Sequence, residues 1–224
     1  MNAHLEQRVE HFGTPLEAAT LAAIVVHGRA QSPEWMREHL VDRLDVSGVA
    51  FVAPEAAGNT WYPGGFMQDF DVNVPSLTWA LQRIDQLVTQ LVAAGFERER
   101  IVLLGFSQGA CLLAEYLSRH PARYGGVAIL TGGLIGPPGT TWDGGSLAGT
   151  PVVLATSDVD DWVPLARTEE TLDVFTARGA EVTWRVYEGM EHIINDDEVR
   201  LVGDLLAPGD EQRRRRADDM PTLD

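Results

Sequence analysis

Between Ile101 and Leu113 an apolar run, Ile101-Val102-Leu103-Leu104, passes through Gly105-Phe106-Ser107-Gln108-Gly109 into Ala110-Cys111-Leu112-Leu113. A buried strand must turn here directly into a helix, and the pattern G-x-S-x-G is the one that permits it. The turn is tight enough to strain the serine backbone and to stand its hydroxyl clear of the sheet edge. Small neighbours are required on both sides, which accounts for Gly105 and Gly109. Ser107 is therefore the candidate nucleophile.

The rest of the chain repeats the same rhythm. Leu21–Val26 reads as a first buried strand, closing at His27-Gly28. Pro33–Leu44 has helical spacing, with Ser32 as N-cap and Pro33 in the first helical position. Val49–Ala53 is a second strand, and a long loop rich in glycine, proline and aromatics covers 54–70. Leu77, Leu81, Ile84, Val88 and Leu91 recur about one turn apart on one helical face, and Gly95 stops that helix. The Ile101 strand follows, then a helix from Ser107 to His120-Pro121. Val127–Leu130, Val152–Ala155 and Val182–Tyr187 are further strands, with helices over Pro164–Ala177 and Val199–Leu206. Strands alternating with helices predict an α/β fold with a mostly parallel central sheet, flanked by helices and carrying a minimal lid. The expected boundaries are one domain over 1–209 and a charged tail over 210–224, in which Arg213–Arg216 carry no apolar period. The His4 and His11 segment reads as a polar, solvent-exposed arm.

Charge restricts the partners. The 33 acidic residues against 17 basic ones leave a net charge of −16, and every basic residue is arginine. Such a field repels nucleic acid and anionic membranes. Codon composition can account for missing lysine but not for the excess of acids, so a surface adapted to high salt is expected. No run of about 18 apolar residues is present to insert in a membrane, and no basic-then-apolar leader opens the chain. A single cysteine, Cys111, excludes an internal disulfide and fits a reducing, cytoplasmic setting.

A serine hydroxyl needs a base to take its proton, and the base needs a carboxylate to hold its tautomer. In sheets of this kind the partners follow in the order serine, acid, histidine, on loops at the carboxyl ends of strands. His192 alone among the histidines follows the last strand. His27 closes the first strand, His39 lies mid-helix at the surface, and His120 ends a helix. The acid falls in Asp158-Val159-Asp160-Asp161, and position alone leaves all three aspartates open.

Four ordered segments now carry a resemblance: His27-Gly28-Arg29, Gly105-Phe106-Ser107-Gln108-Gly109, Asp158-Val159-Asp160 running to Val163-Pro164, and Tyr187-Glu188-Gly189-Met190-Glu191-His192. Over about 12–207 the chain resembles the carboxylesterase, phospholipase and acyl-protein thioesterase group of α/β hydrolases. The resemblance implies that Asp160 is the acid partner, with Asp158 bracing the loop and Asp161 capping the following helix. It implies that the backbone N–H of Arg29 joins that of Gln108 in binding an oxyanion. It also implies that Gly28, Trp61, Tyr62 and Phe66 border a substrate cleft. Leu134 and Trp162 are further candidates for an acyl-binding wall, whereas Trp142 is expected to pack a loop. The Arg29 side chain either reaches a substrate carboxylate or covers a loop or surface acid.

The expected chemistry is cleavage of a small-molecule carboxylic ester, thioester or lysophospholipid through an acyl-enzyme, with no cofactor and no metal. His192 with Asp196 and Asp197 lacks ligand spacing, and 132–136 lacks a nucleotide loop's pattern. Two alternatives stand beside this: acyl transfer or perhydrolysis by the same residues, and a non-catalytic binding protein on the same scaffold. A homodimer is a further expectation from the resemblance.

Overall fold

The computed structural model describes residues 2–207. The arginine run and the tail expected from 210 onward lie outside the described residues, as does the end of the expected domain. Seven strands form one sheet: β1 (Val9–Gly13), β2 (Leu21–Val26), β3 (Val49–Pro54), β4 (Ile101–Phe106), β5 (Gly126–Leu130), β6 (Pro151–Ser157) and β7 (Glu181–Tyr187). Their spatial order is β1-β3-β2-β4-β5-β6-β7, with β1 antiparallel to β3 and every other pair parallel.

Helices α1 (Pro33–His39), α2 (Phe70–Asn73), α3 (Ser76–Ala93), α4 (Gln108–Arg119), α5 (Leu165–Ala177) and α6 (Asp196–Leu206) cover the sheet. Because alternate strand residues face opposite ways, β4 sends Ile101 and Leu103 to one core and Val102, Leu104 and Phe106 to the other. The first core is closed by α3, α4 and α5, the second by α1 and α6. Both faces being covered, the central strands are continuous apolar runs. The α3 stripe of Leu77, Leu81, Ile84, Val88 and Leu91 is buried, each such side chain contributing about 1.5–3 kcal/mol of transfer free energy.

Several expectations are corrected. The segment Pro33–Leu44 is not one helix: α1 stops at His39 and a separate 3-10 turn covers Val41–Arg43. The Ser32 cap does form, accepting from the Trp35 N–H at 3.3 Å. The amino-terminal segment is not a free arm. Its residues Val9–Gly13 form edge strand β1, and His4 is buried. Asn2 Nδ2 donates to the Trp79 carbonyl, and Arg83 to that of Gln7, so this segment is clasped against α3. His11 is exposed as expected. Asp161 caps nothing, because α5 starts after Pro164 with no side-chain cap.

Ser107 directly follows β4, in the middle of this order. Strands β2 and β3 lie to one side of it and β5, β6 and β7 to the other. The chain reverses its direction of winding between β2 and β4, and a crevice opens at the carboxyl ends of strands at such a point.

Candidate active site

Ser107 has φ 53° and ψ −120°, a conformation that a residue with a Cβ adopts at a cost of about 1–3 kcal/mol. Two main-chain bonds hold it there: its N–H donates to the Leu130 carbonyl at 2.9 Å, and its carbonyl accepts from the Cys111 N–H at 3.0 Å. The flanking glycines are required by close approach rather than by φ. A Cβ on Gly109 would run into the carbonyl oxygens of Val26 and His27, and one on Gly105 would lie 2.8 Å from the Ala110 nitrogen. The start of α4 is thereby seated directly on the end of β2.

On the β6/β7 side, the Ser107 Oγ lies 2.8 Å from His192 Nε2, and His192 Nδ1 lies 2.6 Å from Asp160 Oδ2. A carboxylate only accepts, so Nδ1 carries the proton and Nε2 presents its lone pair to the serine hydroxyl. The second oxygen of Asp160 accepts from the N–H groups of Trp162 (2.9 Å) and Val163 (2.8 Å). The Asp160 side chain is fully buried, while that of His192 keeps 25 % of its surface. Asp158 instead accepts from the Gly189 N–H at 2.8 Å and joins the two loops. Of the three aspartates left open by position, Asp160 alone meets the imidazole. Phe106 packs beneath His192 with ring centroids 5.0 Å apart, and Trp35 stacks on Phe106 from below.

The His192 loop runs into α6 through a capping box: Asn195 Oδ1 accepts from the Glu198 N–H and Glu198 Oε2 from the Asn195 N–H, both at 2.9 Å. Glu198 is fully buried, and that burial pushes its carboxyl up to about 7.

On the β2/β3 side the Arg29 N–H meets no main-chain acceptor within the described residues. The Gln108 N–H, on the first residue of α4, has no carbonyl one turn behind it. The side chains of both residues are occupied. The Arg29 guanidinium donates to the carbonyls of Tyr62 (3.0 Å), Pro63 (2.8 Å) and Gly64 (2.6 Å), so it covers a loop rather than pairing with an acid. Gln108 Oε1 accepts from the Trp61 N–H and Nε2 donates to the Tyr62 carbonyl.

Trp61 is fully buried between two histidines. Its indole N–H donates to the His27 carbonyl at 2.8 Å, and its own carbonyl accepts from His4 Nε2 at 3.0 Å. His4 Nδ1 accepts from the Ala57 N–H and His27 Nε2 from that of Ala56. Both rings are therefore neutral donor–acceptor bridges, and burial holds both below the usual imidazole value. The sequence carried no signal for His4, because only the folded chain brings its segment beneath Trp61.

A cavity of about 410 Å³ opens between the two sides. Ser107, His192, Arg29, Gln108, Tyr62, Phe66 and Trp162 line it, with Cys111 at its floor one turn below the serine. Burial pushes the Cys111 thiol up to about 12, which keeps it protonated and unreactive. Leu134, expected on an acyl wall, is instead fully buried in the core; its N–H donates to Thr171 and its carbonyl accepts from Arg167. Trp61 and Gly28, expected to border the cleft, are buried behind the lining; a Cβ on Gly28 would lie 2.7 Å from Gln31 Oε1 and 3.1 Å from the Ser107 Cβ. Trp142 packs a loop, donating to the Ile135 carbonyl under the Arg167 guanidinium. Asp196 pairs with Arg43, and Asp197 with Tyr187 and Arg200. Among the described residues no three His, Cys, Asp or Glu side chains gather as metal ligands, and no helix is long and apolar enough to cross a membrane.

The phospholipase/carboxylesterase family model matches residues 14–207. An acyl-protein thioesterase 1 of Eremothecium gossypii is 26 % identical, the match covering 85 % of this chain and 87 % of that protein. A putative esterase, NocK, of Nocardia uniformis is 29 % identical over 63 % of this chain and 40 % of its own length. Among solved structures, a phospholipase/carboxylesterase from Dyadobacter fermentans superposes with a TM-score of 0.83 at 35 % identity, covering 90 % of this chain and 97 % of that one. A Bacillus cereus carboxylesterase has the same fold, with a TM-score of 0.71 at 18 % identity over 92 % and 95 % of the two chains.

Proposed function

The chain belongs to the phospholipase/carboxylesterase family, and we propose that it hydrolyses carboxylic esters through an acyl-enzyme formed on Ser107. The observation that carries this reading is the unbroken hydrogen-bonded line from Ser107 Oγ through His192 to a buried, doubly braced Asp160. The strained serine turn also lines the cavity, and such strain collects at sites of chemistry.

In the first half-reaction His192 Nε2 takes the Ser107 proton as Oγ bonds to the substrate carbonyl carbon. Asp160 holds the imidazole in place and stabilises its transient positive charge. The main-chain N–H groups of Arg29 and Gln108 bind the oxyanion, an interaction worth about 2.7–4 kcal/mol per donor. His192 then gives its proton to the departing oxygen. Water enters along the same path, His192 activates it, and the acid leaves. Thioesters are open to the same steps, since the sulfur leaving group needs no additional device.

Ser107→Ala is expected to lower kcat/KM for a simple ester on the order of 10⁶-fold while circular dichroism and the thermal midpoint stay within a few degrees of the native protein. A fluorophosphonate should label the native protein once, on Ser107. Undiminished turnover in the alanine variant rejects Ser107 as nucleophile. Absence of both labelling and turnover would favour a binding protein on this scaffold.

A further inference from the structure

We propose, on the reading of Ser107 just given, that Trp162 is the platform for the leaving group and that the substrate is an ester whose departing alcohol is neutral and apolar, aromatic above all. The sheet order divides the cavity into two walls. Arg29, Tyr62 and Phe66 come from the loops after β2 and β3, while Trp162 and His192 come from those after β6 and β7. A tetrahedral carbon on Ser107 turns its oxyanion to the Arg29 and Gln108 amides. Its leaving oxygen must face His192 Nε2, the one group able to protonate it. The departing alcohol therefore lies along the β6/β7 wall, whereas the acyl group takes the direction that remains.

Trp162 lines the cavity on this side, and two further exposed apolar residues stand on the same two loops. Trp162 is 73 % exposed, with Val159 at 59 % and Ile193 at 47 %. All three sit within two residues of Asp160 or His192, on the loops that carry them. The Trp162 N–H is bonded to Asp160, which anchors the backbone of the indole next to the proton-transfer line. Covering such a ring with an apolar group is favourable, and stacking adds to it. Among the described residues that line the cavity an anionic leaving group has no guanidinium to pair with, because that of Arg29 is committed to three carbonyls across the cavity, and the chain carries a net charge of −16.

The chemistry balances within the ester. The Ser107 Oγ–carbon bond forms as the carbon–oxygen bond of the ester breaks, and the proton taken from Ser107 leaves on the alcohol. The acyl-enzyme no longer contains that alcohol, so Trp162 acts on acylation alone.

The test compares methyl, benzyl and 2-naphthylmethyl butyrate in the native protein and in Trp162→Ala and Trp162→Phe. Loss of the indole should lower kcat/KM for the two aryl esters about tenfold relative to methyl butyrate, and phenylalanine should restore most of the ratio. Single-turnover traces should place the change in acylation, with decay of the butyryl-enzyme independent of the ester that formed it. In the native protein, 4-carboxybenzyl butyrate should react about tenfold more slowly than benzyl butyrate. An unchanged aryl-to-methyl ratio in the alanine variant, or a loss carried by deacylation, overturns the platform. Equal rates for the charged and neutral benzyl esters overturn the neutral substrate class. Failure of every ester to acylate Ser107 would instead overturn the function proposed above.

Discussion

The two walls of the cleft are built on different principles. The β2/β3 wall is interlocked: Trp61 is enclosed by His4, His27 and Gln108, and Arg29 latches the next three carbonyls. The β6/β7 wall is open. Its loops display Val159, Trp162 and Ile193 to solvent, and they are tied down by Asp160, which accepts from the Trp162 and Val163 N–H groups, and by Asp158, which accepts from that of Gly189. An oxyanion site has to be rigid before charge develops, since donors that must reorganise give little stabilisation. A wall that admits and releases a variable alcohol, the role proposed for the β6/β7 side, gains from exposure. On the function proposed above, the contrast puts fixed electrostatics and adaptable recognition on opposite sides of one serine.

The sharpest way to break this comparison is to disable the one braced acid. Asp160→Asn keeps an acceptor for the Trp162 and Val163 amides but loses the tautomer control, and should lower kcat about 10⁴-fold. Asp158→Asn, by contrast, should cost only a few-fold in steady-state assays. Similar losses from both would mean that the loop, rather than Asp160, carries the effect.

Gly109→Ala attacks the seam between α4 and β2. Its Cβ meets main-chain oxygens that cannot swing away, so a loss of about 3 kcal/mol is expected, a thermal midpoint lowered by roughly 6–12 °C. A variant that melts with the native protein would show that this seam is looser than the contacts imply.

Gln108→Ala leaves the Trp61 N–H buried without its acceptor and should cost about 1–3 kcal/mol, measured by urea unfolding. Retained stability would argue that the β2/β3 wall is not interlocked through this side chain.

The smallest effect concerns pH, and the walls should respond with opposite sign. His4 and His27 are held below 6.5, so the unfolded chain takes up protons first. Their contribution is full above 6.5 and is lost as pH falls below it. Glu198 keeps its proton up to about 7 in the folded protein against an ordinary value of 4.5. Its contribution is full below 4.5 and is lost as pH rises through 7. His4→Gln should flatten the acid limb of a thermal-midpoint profile by a few degrees, and Glu198→Gln the limb towards neutrality. Swapped limbs would refute the assignment.

The legible part of this molecule was whatever depends on local pattern. The apolar run ahead of Gly105, the α3 stripe and the Ser32 cap each declare themselves within a few residues. Strand β1 did not, because a five-residue edge strand with one neighbour needs no continuous apolar run and its Val-Glu-His-Phe alternation looks polar. Leu134 was misjudged for a related reason: a leucine after a strand reads the same whether it faces a cleft or the core. The actual choice was made by Thr171 and Arg167, more than 30 residues away.

By itself, then, the sequence determined the α/β rhythm, the serine on its tight turn and the histidine after the last strand, since periodicity and glycine sterics act over short distances. Tertiary structure decided between the three aspartates that position in the chain left open, in favour of the one the resemblance implied, and it alone decided that Arg29 closes a loop, that His4 supports Trp61 and that Trp162 shares a wall with the imidazole. Those choices rest on contacts between segments 30 to 85 residues apart, and a hydrogen bond or a cavity wall exists only once the sheet order has brought its two halves together.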